Sequence, residues 1–216
     1  MATKHIAIEG NIAAGKTTLA HLIAPYWKNS TLALEPFDKN PFLKQFYNDP
    51  DKYALALELS FLALRYEQLS RLLQPSLFEK VVISDHSLFR SWVFAGVTLP
   101  ESEFVLFERL YNTMIKSLKK PDVIIKISAP VERYLKQIKY RSRSFETGIS
   151  TEYLQNIEKR YTEIIKQLAT FMPVIDFQIG WVDLLNTPTI TKRLVEIVKD
   201  VLNSEKQGLI PVVAEK

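Results

Sequence analysis

The chain of 216 residues contains no cysteine and only six glycines. Without cysteine, the sequence excludes disulfide bonds, thiolate nucleophiles and cysteine-ligated zinc. Long apolar runs are missing as well, because none approaches the roughly 18 residues that span a bilayer. No secretory hydrophobic segment precedes the first strand pattern. These absences predict a cytoplasmic protein with no membrane partner.

A large excess of positive charge is also missing. The 28 lysines and arginines against 24 aspartates and glutamates give a formal net charge of +4. A face that binds duplex nucleic acid usually carries more, whereas a small excess fits a local anion site. We therefore expect no nucleic-acid partner. The length fits one compact domain, and neither a repeat nor a linker interrupts it before the C-terminus.

Two of the six glycines fall in one motif. Residues 10–17 read Gly-Asn-Ile-Ala-Ala-Gly-Lys-Thr, the pattern G-x-x-x-x-G-K-[ST], between an apolar strand and a helical pattern. In such a loop the backbone amides face phosphate oxygens, the lysine reaches the β and γ phosphates, and the threonine ligates Mg²⁺. The sequence thus predicts an ATP site with Mg²⁺ as cofactor and the lysine as a catalytic candidate. Its residues are Gly10, Asn11, Ala13, Ala14, Gly15, Lys16, Thr17 and Thr18.

Apolar, β-rich runs alternate with helical patterns along the chain. The nearly continuous apolar runs at 81–84 and 123–127 are typical of parallel strands covered on both faces. The pattern predicts a three-layer α/β fold with a five-stranded parallel sheet. Residues 1–203 form the predicted domain, and 204–216 are expected to be a loose or partner-docked tail. The predicted strands are 5–9, 31–34, 81–84, 123–127 and 174–177, and the predicted helices are about 16–27, 51–74, 87–97, 101–118, 130–140, 151–170 and 189–203.

The predicted helix at 101–118 carries a wide apolar stripe. Its members are Phe104, Leu106, Phe107, Leu110, Tyr111, Met114, Ile115 and Leu118. Such a stripe can pack on the sheet and still leave apolar area for a second contact. We expect a homodimer formed through the helices near 51–74 and 101–118, and a purely internal core face is the alternative.

Beyond the phosphate loop, further features follow in a fixed order. Glu-Pro at 35–36 ends the second strand, Asp-His-Ser at 85–87 ends the third, and Arg-Ser-Arg-Ser-Phe-Glu-Thr-Gly occupies 141–148. Over residues 4 to about 200 this order resembles the deoxynucleoside kinase family. The resemblance implies a P-loop kinase fold and transfer of the γ-phosphoryl group of ATP to the 5′-hydroxyl of a deoxynucleoside, for nucleotide salvage.

The resemblance also implies roles for the polar residues. Glu35 would take the proton from the 5′-hydroxyl, since a general base must lie within hydrogen-bond reach of that group. Asp85 would hold Mg²⁺ together with the loop threonine. Arg141 and Arg143, in a helical lid at about 137–150, would bracket the transferred group, whose charge suits planar guanidinium donors.

The substrate side is implied less completely. Glu146 would bind the sugar 3′-hydroxyl with Tyr47 as its partner. Glu58 stands where the family usually has a base-reading glutamine, Arg65 matches a pocket arginine, and Phe94 matches a base-stacking ring. A carboxylate is an acceptor only unless it is protonated, so the base read by position 58 stays open. We expect a purine to be favoured, with deoxyadenosine as the first candidate.

The chain departs from the family pattern at two arginines. Where an arginine usually follows the strand-end acid, this chain has His86, and Arg90 one helical turn later is the other candidate for that role. A second family arginine is Gln137 here, and Lys136 or Lys139 could compensate.

Two other functions remain as alternatives. A thymidylate-like nucleoside monophosphate kinase has an acceptor phosphate that is already ionised, so it does not need the base at Glu35. A non-catalytic nucleotide-binding module needs neither that base nor the lid arginines.

Overall fold

The computed structural model describes residues 3–78, 80–146, 148–204 and 207–214. Within them, eight α-helices surround one six-stranded parallel sheet, whose order is β2-β3-β1-β4-β5-β6. The strands are β1 (Lys4–Gly10), β2 (Ser30–Ala33), β3 (Val81–Ser84), β4 (Val123–Ser128), β5 (Pro173–Gln178) and β6 (Gly208–Val213). The helices are α1 (Lys16–Ile23), α2 (Leu43–Asn48), α3 (Pro50–Leu72), α4 (Leu88–Thr98), α5 (Glu101–Ser117), α6 (Val131–Arg141), α7 (Thr151–Leu168) and α8 (Pro188–Leu202).

The centre of the sheet explains where a ligand can bind. β1 lies between β3 and β4, with Ile6 in register with Ile83 on one side and Val123 on the other. All three strands are buried on both faces, as their apolar runs predict. After β1 the chain forms β2 and β3 on one side of β1, and it then crosses over to form β4 on the other side of β1. Ligands bind at the carboxyl ends of strands beside such a switch point.

The phosphate loop leaves β1 at this point. Gly10 has φ +147°, and a Cβ there would come within 2.9 Å of the Ile127 carbonyl oxygen. Gly15 has φ +93° and immediately precedes α1. Both conformations are open to glycine and strained for other residues. The two glycines are therefore needed for the turn that the motif predicts.

The predicted three-layer α/β fold with a parallel sheet is confirmed, but the expected number of strands is wrong. The sixth strand, β6, lies in the segment expected to be a loose tail, and it pairs with β5 from Pro173 to Gln178. It contains Pro211, which lacks an N–H donor and is tolerated in an edge strand. The residues around it are apolar, but a proline in the middle of a run argues against a sheet strand, and for this reason the sequence pattern did not predict β6. Residues 205, 206, 215 and 216 of the expected tail lie outside the described residues.

No helix in the described ranges has both the length and the hydrophobicity needed to cross a membrane.

Candidate active site

A cavity of about 570 Å³ opens above the carboxyl ends of β1, β2 and β3. Of the residues predicted for the site, all but two line this cavity; Gly10 and Asn11 do not. Distant parts of the sequence therefore meet around one space. Its two ends differ in character, since the phosphate loop forms one and aromatic side chains gather at the other.

The phosphate loop presents a buried lysine to the cavity. The Nζ atom of Lys16 donates to the Asn11 carbonyl oxygen at 2.6 Å. Burial and the nearby charge of Arg90 lower the pKa of Lys16 to about 7, against the opposing effect of Glu35 and Asp85. A phosphate group beside this amine would add negative charge and favour its protonated form.

Thr17 and Asp85 meet at the edge of the loop. The Thr17 hydroxyl donates to Oδ2 of Asp85 at 2.5 Å, and the Glu35 amide donates to Oδ1 at 2.7 Å. Hydroxyl and carboxylate oxygens are suitable Mg²⁺ ligands, and Mg²⁺ usually takes few ligands from protein and the rest from phosphate and water. Among the described residues no cluster of three or more histidine, aspartate or glutamate side chains could hold a metal ion alone. The pair therefore fits a Mg²⁺ ion that arrives with ATP.

Asn11 anchors the loop to α7 rather than facing the ligand. Its side-chain amide donates to the Leu154 carbonyl at 2.9 Å and to Oε2 of Glu158 at 3.2 Å. Glu158 in turn forms a salt bridge with the buried Lys126 of β4 and accepts from the Tyr134 hydroxyl of α6 at 3.3 Å. One carboxylate thus joins the loop to the two helices that flank the predicted lid.

Glu35 lies in the middle of the cavity between two arginines. Arg65 donates to Oε1 of Glu35 through Nε at 2.8 Å and also through a terminal nitrogen, and Nε of Arg90 lies 3.3 Å from the same oxygen. Burial would raise the pKa of Glu35, but the two guanidinium charges outweigh it and lower the pKa well below its ordinary range. Glu35 is therefore an ionised acceptor at neutral pH. Both arginines reach the carboxylate at Oε1.

Arg90, not His86, occupies the cavity. Arg90 donates to the Gly10 carbonyl at 2.9 Å and contacts the Tyr161 hydroxyl at 3.3 Å. His86 is buried outside the cavity, where its Nε2 bonds Oε1 of Gln68 at 2.7 Å. Burial lowers the pKa of His86 to about 4, so its ring is neutral at physiological pH. Of the two candidates for the displaced arginine role, only Arg90 has the position and the charge.

The predicted lid, at about 137–150, begins within α6 and includes Arg143. Arg141 forms two hydrogen bonds with the Glu146 carboxylate, each at 2.6 Å, and Arg143 lies 3.5 Å from it. Both arginines line the cavity, and the Arg143 guanidinium stacks 4.0 Å from the Phe37 ring centre. Glu146 is thus paired with the lid arginines in this conformation. Gln137 also lines the cavity, and Thr147 of the predicted lid lies outside the described residues.

Glu58 and several rings form the other end of the cavity. Glu58 is 2% exposed, and its Oε1 atom accepts from the Thr98 hydroxyl at 3.2 Å. Tyr47 packs against Phe145 with ring centres 5.8 Å apart, and Phe94 lies 4.2 Å from the Arg90 guanidinium. The flat apolar surfaces suit a heterocyclic base, and the carboxylate supplies one polar contact.

Some cavity residues were not predicted from the sequence. Phe61 and Tyr153 both line it, and so do Phe37, Phe46 and Phe145. Phe61 could have been found, because it lies three residues after Glu58 and four before Arg65, on the same face of α3. Tyr153 lies on α7, which is far away in sequence, and no local pattern marks it. The partners of Arg65 were not predicted either. In the structure Arg65 pairs with Glu35 and donates to the Ser91 hydroxyl at 2.6 Å.

A parallel sheet with a phosphate loop, strand-end carboxylates and two arginines that line the same cavity is typical of a P-loop phosphotransferase. A family model described as deoxynucleoside kinase matches residues 6–203. The chain therefore belongs to the deoxynucleoside kinase family. This membership favours phosphorylation of a deoxynucleoside over the two alternatives, a nucleoside monophosphate kinase and a non-catalytic nucleotide-binding module.

Individual relatives agree with the family match. The chain is 30% identical to a deoxyadenosine kinase of Dictyostelium discoideum over 88% of this chain and 77% of that one. It is 35% identical to a deoxyguanosine kinase of Bacillus subtilis over 76% of this chain and 79% of that one. A deoxyadenosine kinase structure from M. mycoides with bound dCTP superimposes with a TM-score of 0.73 and 25% identity, covering 92% of this chain and 98% of that one.

Proposed function

We propose that this kinase transfers the γ-phosphoryl group of Mg²⁺-bound ATP to the 5′-hydroxyl of a purine deoxynucleoside, with deoxyadenosine as the first candidate substrate. The observation that carries the proposal is the position of Glu35. Its carboxylate lies between the phosphate loop and the aromatic end of the cavity, where a sugar hydroxyl would have to stand between a triphosphate and a base.

In this proposal Glu35 orients the acceptor hydroxyl and accepts its proton. Arg65 and Arg90 both bind Oε1, so Oε2 is the atom left to accept from the substrate. A carboxylate with a low pKa is a weak base, and it takes the proton late, as the oxygen bonds to phosphorus. The arginines hold the carboxylate in place and keep it ionised.

The donor end would bind ATP through the phosphate loop. Lys16 and the loop amides would bind the β and γ phosphates. Thr17 and Asp85 would hold Mg²⁺, which when bound neutralises charge on the phosphate oxygens. Arg141 and Arg143 would turn from Glu146 toward the transferred group, where guanidinium donors stabilise charge spread over three oxygens. Glu146 would then be free to bind the sugar with Tyr47.

The preference for a purine is supported by the relatives, and the cavity is compatible with it. The relatives named above are deoxyadenosine and deoxyguanosine kinases. Phe94, Tyr153 and Glu58 all line the cavity, so the base would meet aromatic rings and a carboxyl group. Adenine, guanine and cytosine each carry an amino group that a carboxylate oxygen can accept from, so this contact disfavours thymine, and the choice of a purine over cytosine rests on the relatives. The cytoplasmic location stays a prediction.

The homodimer also remains a proposal. On α5, Val105, Leu106 and Leu110 are 44%, 50% and 43% exposed and lie on one side of the helix. Burying such a face against a second copy would remove apolar area from water. Light scattering coupled to size-exclusion chromatography, on the protein and on Leu106→Glu, would measure the mass directly; a monomeric unmodified protein would contradict the dimer.

The function is tested by measuring ATP consumption and product formation with the four deoxynucleosides, the four ribonucleosides and the deoxynucleoside monophosphates. We expect deoxynucleoside 5′-monophosphates as products, with a purine giving the highest kcat/KM. Turnover only with monophosphate acceptors would contradict the proposal, and so would ATP binding without turnover of any acceptor.

A further inference from the structure

Glu58 is a buried carboxyl group with one oxygen left over. It comes from α3, is 2% exposed and lines the cavity. Thr98 of α4 contacts Oε1, whereas Oε2 is fully buried and has no hydrogen-bond partner in the described part of the chain. A buried polar atom without a partner costs free energy unless a ligand satisfies it. Because Glu58 is part of the cavity wall, a ligand bound in the cavity is the available partner for this oxygen.

The charges around Glu58 do not neutralise it. Arg65, two turns along α3, has its nitrogens committed to Glu35 and Ser91. The other charged or titratable groups that face Glu58 are Arg90 from α4, Glu35 after β2, Tyr47 from α2 and Tyr153 from α7. Among the described residues Glu58 forms no salt bridge. A carboxyl group in this position can be neutral or ionised without breaking an ion pair.

The two forms of the carboxyl group match two different bases. A neutral acid presents an O–H donor beside an acceptor oxygen, whereas a carboxylate presents two acceptors. The base-pairing edge of adenine has a ring-nitrogen acceptor beside an amino donor. The corresponding edge of guanine has two donors, its N1–H and its 2-amino group. The acid is therefore complementary to adenine and the carboxylate to guanine.

We propose that Glu58 selects between the two purines by its own protonation: the enzyme binds deoxyadenosine with Glu58 neutral and deoxyguanosine with Glu58 ionised. The proposal rests on the purine deoxynucleoside kinase function given above and deepens it. Thr98 is compatible with both forms, because its hydroxyl can donate to Oε1 of the carboxylate and equally to the carbonyl oxygen of the acid, which leaves the single proton of the acid for adenine.

The proposal predicts a pH-dependent preference within the physiological range. Burial raises the pKa of Glu58 to about 7, and the charges of Arg65 and Arg90 offset this only in part. Between about pH 6 and pH 8 the ratio of kcat/KM for deoxyadenosine to that for deoxyguanosine should fall by tenfold or more. Neither base titrates in this range. Both substrates use the same ATP site, Glu35 and lid, so other ionisations cancel in the ratio.

Two variants separate this mechanism from a general pH effect. Glu58→Gln has a fixed donor and acceptor, so its ratio should favour deoxyadenosine and lose its pH dependence. Glu67→Gln, on the exposed side of the same helix, should keep the pH dependence of the unmodified enzyme. An unmodified ratio that stays constant with pH overturns the proposal, and so does a Glu58→Gln ratio that still changes tenfold.

Binding calorimetry in two buffers of different ionisation enthalpy provides a second measurement on the unmodified enzyme. Near pH 7 deoxyadenosine binding should take up part of a proton, and deoxyguanosine binding should release part of one. Equal proton exchange for the two nucleosides would overturn the proposal. If neither purine is phosphorylated at any pH, the proposed function itself fails, which is distinguishable from active turnover with a constant ratio.

Discussion

The two ends of the cavity are built differently. The ATP end is made largely from one contiguous segment, residues 10–18, in which two glycines form the turn and Lys16 and Thr17 line the cavity. The rest of the cavity, from Glu35 in its middle to the aromatic rings, is where the proposed acceptor would bind, and we call it the acceptor end. It brings together Glu35 after β2, Tyr47 of α2, Glu58 and Arg65 of α3, and Arg90 of α4. The ATP end depends on backbone amides and one lysine, whereas the acceptor end depends on buried ion pairs between distant residues.

This difference has energetic consequences. Removing one member of a buried ion pair leaves the other charge unpaired and desolvated, which destabilises a protein strongly. Glu35 pairs with two arginines, so a change there affects the electrostatics of the whole acceptor end. A change in the phosphate loop mainly affects ligand binding and turnover. Substitutions at the two ends should therefore differ in how far they alter stability as well as activity.

The largest effect is expected from Lys16→Ala at the ATP end. Loss of the amine removes the charge next to the β and γ phosphates and should lower kcat by about 10³-fold or more. The variant should stay folded, because no salt bridge of the described residues involves Lys16. Steady-state kinetics measures kcat, and a thermal unfolding curve measures whether the variant stays folded. Lys192→Ala, on the exposed face of α8, is the control; an unfolded Lys16→Ala variant would show a structural role instead.

Glu35→Gln should have the next largest effect. Loss of the acceptor for the hydroxyl proton should lower kcat by about 10²-fold, with nucleoside affinity within several-fold. Unlike Lys16→Ala, it should also change the unfolding midpoint, since Arg65 and Arg90 lose their counter-charge. Rapid-quench kinetics and direct nucleoside binding test this, with Glu67→Gln as the matched control. A near-normal kcat would remove Glu35 from the catalytic role.

Arg143→Ala tests the predicted lid, and its effect can be compared with those at the two ends of the cavity. Arg143 contacts the Phe37 ring and lies 3.5 Å from the buried Glu146, which keeps two shorter hydrogen bonds to Arg141, so stability should change little. If it acts in the transition state, kcat should fall roughly 10- to 100-fold with little change in the nucleoside KM. Exposed Arg193 on α8 supplies the control, as Arg193→Ala. An effect confined to KM would assign Arg143 to substrate binding only.

The base ranking at about pH 8 tests the acceptor end alone. With Glu58 ionised, thymidine should be the poorest of the four deoxynucleosides, because its single N3–H lies between two carbonyls that repel a carboxylate. The difference should correspond to about 1–3 kcal/mol in kcat/KM. A competition assay with all four substrates measures the ranking. Thymidine as the preferred substrate would mean that Glu58 does not contact the base.

The smallest effect on activity is expected far from both ends, in β6. Val212 is 5% exposed, and Val212→Ala should lower the free energy of unfolding by about 1–2 kcal/mol while leaving kcat unchanged. The neighbouring Val213 is 46% exposed, so Val213→Ala should have almost no effect. Urea unfolding of the two variants tests whether β6 belongs to the cooperative fold; equal, negligible changes would argue that it does not.

The sequence by itself determined the class of protein and the ATP end of the site. A phosphate loop works through contiguous residues, so its spacing alone predicts the turn, the lysine and the threonine. The continuous apolar runs of β3 and β4 likewise predicted buried parallel strands, because burial on both faces requires such runs. The other three predicted strands were recognised from apolar, β-rich runs alone, since β2 and β5 are only partly buried, whereas the proline inside β6 argued against a strand there.

Only the tertiary structure decided which side chains pair with each other at the acceptor end. Arg65 and Glu35 are 30 residues apart, and nothing local in either segment specifies that they pair. Arg90 rather than His86 reaches Glu35 because the start of α4 turns one side chain into the cavity and the other toward Gln68. Whether Oε2 of Glu58 has a hydrogen-bond partner depends on which groups surround it. Burial, charge pairing and unsatisfied hydrogen bonds are properties of the packed chain, so residue spacing does not specify them.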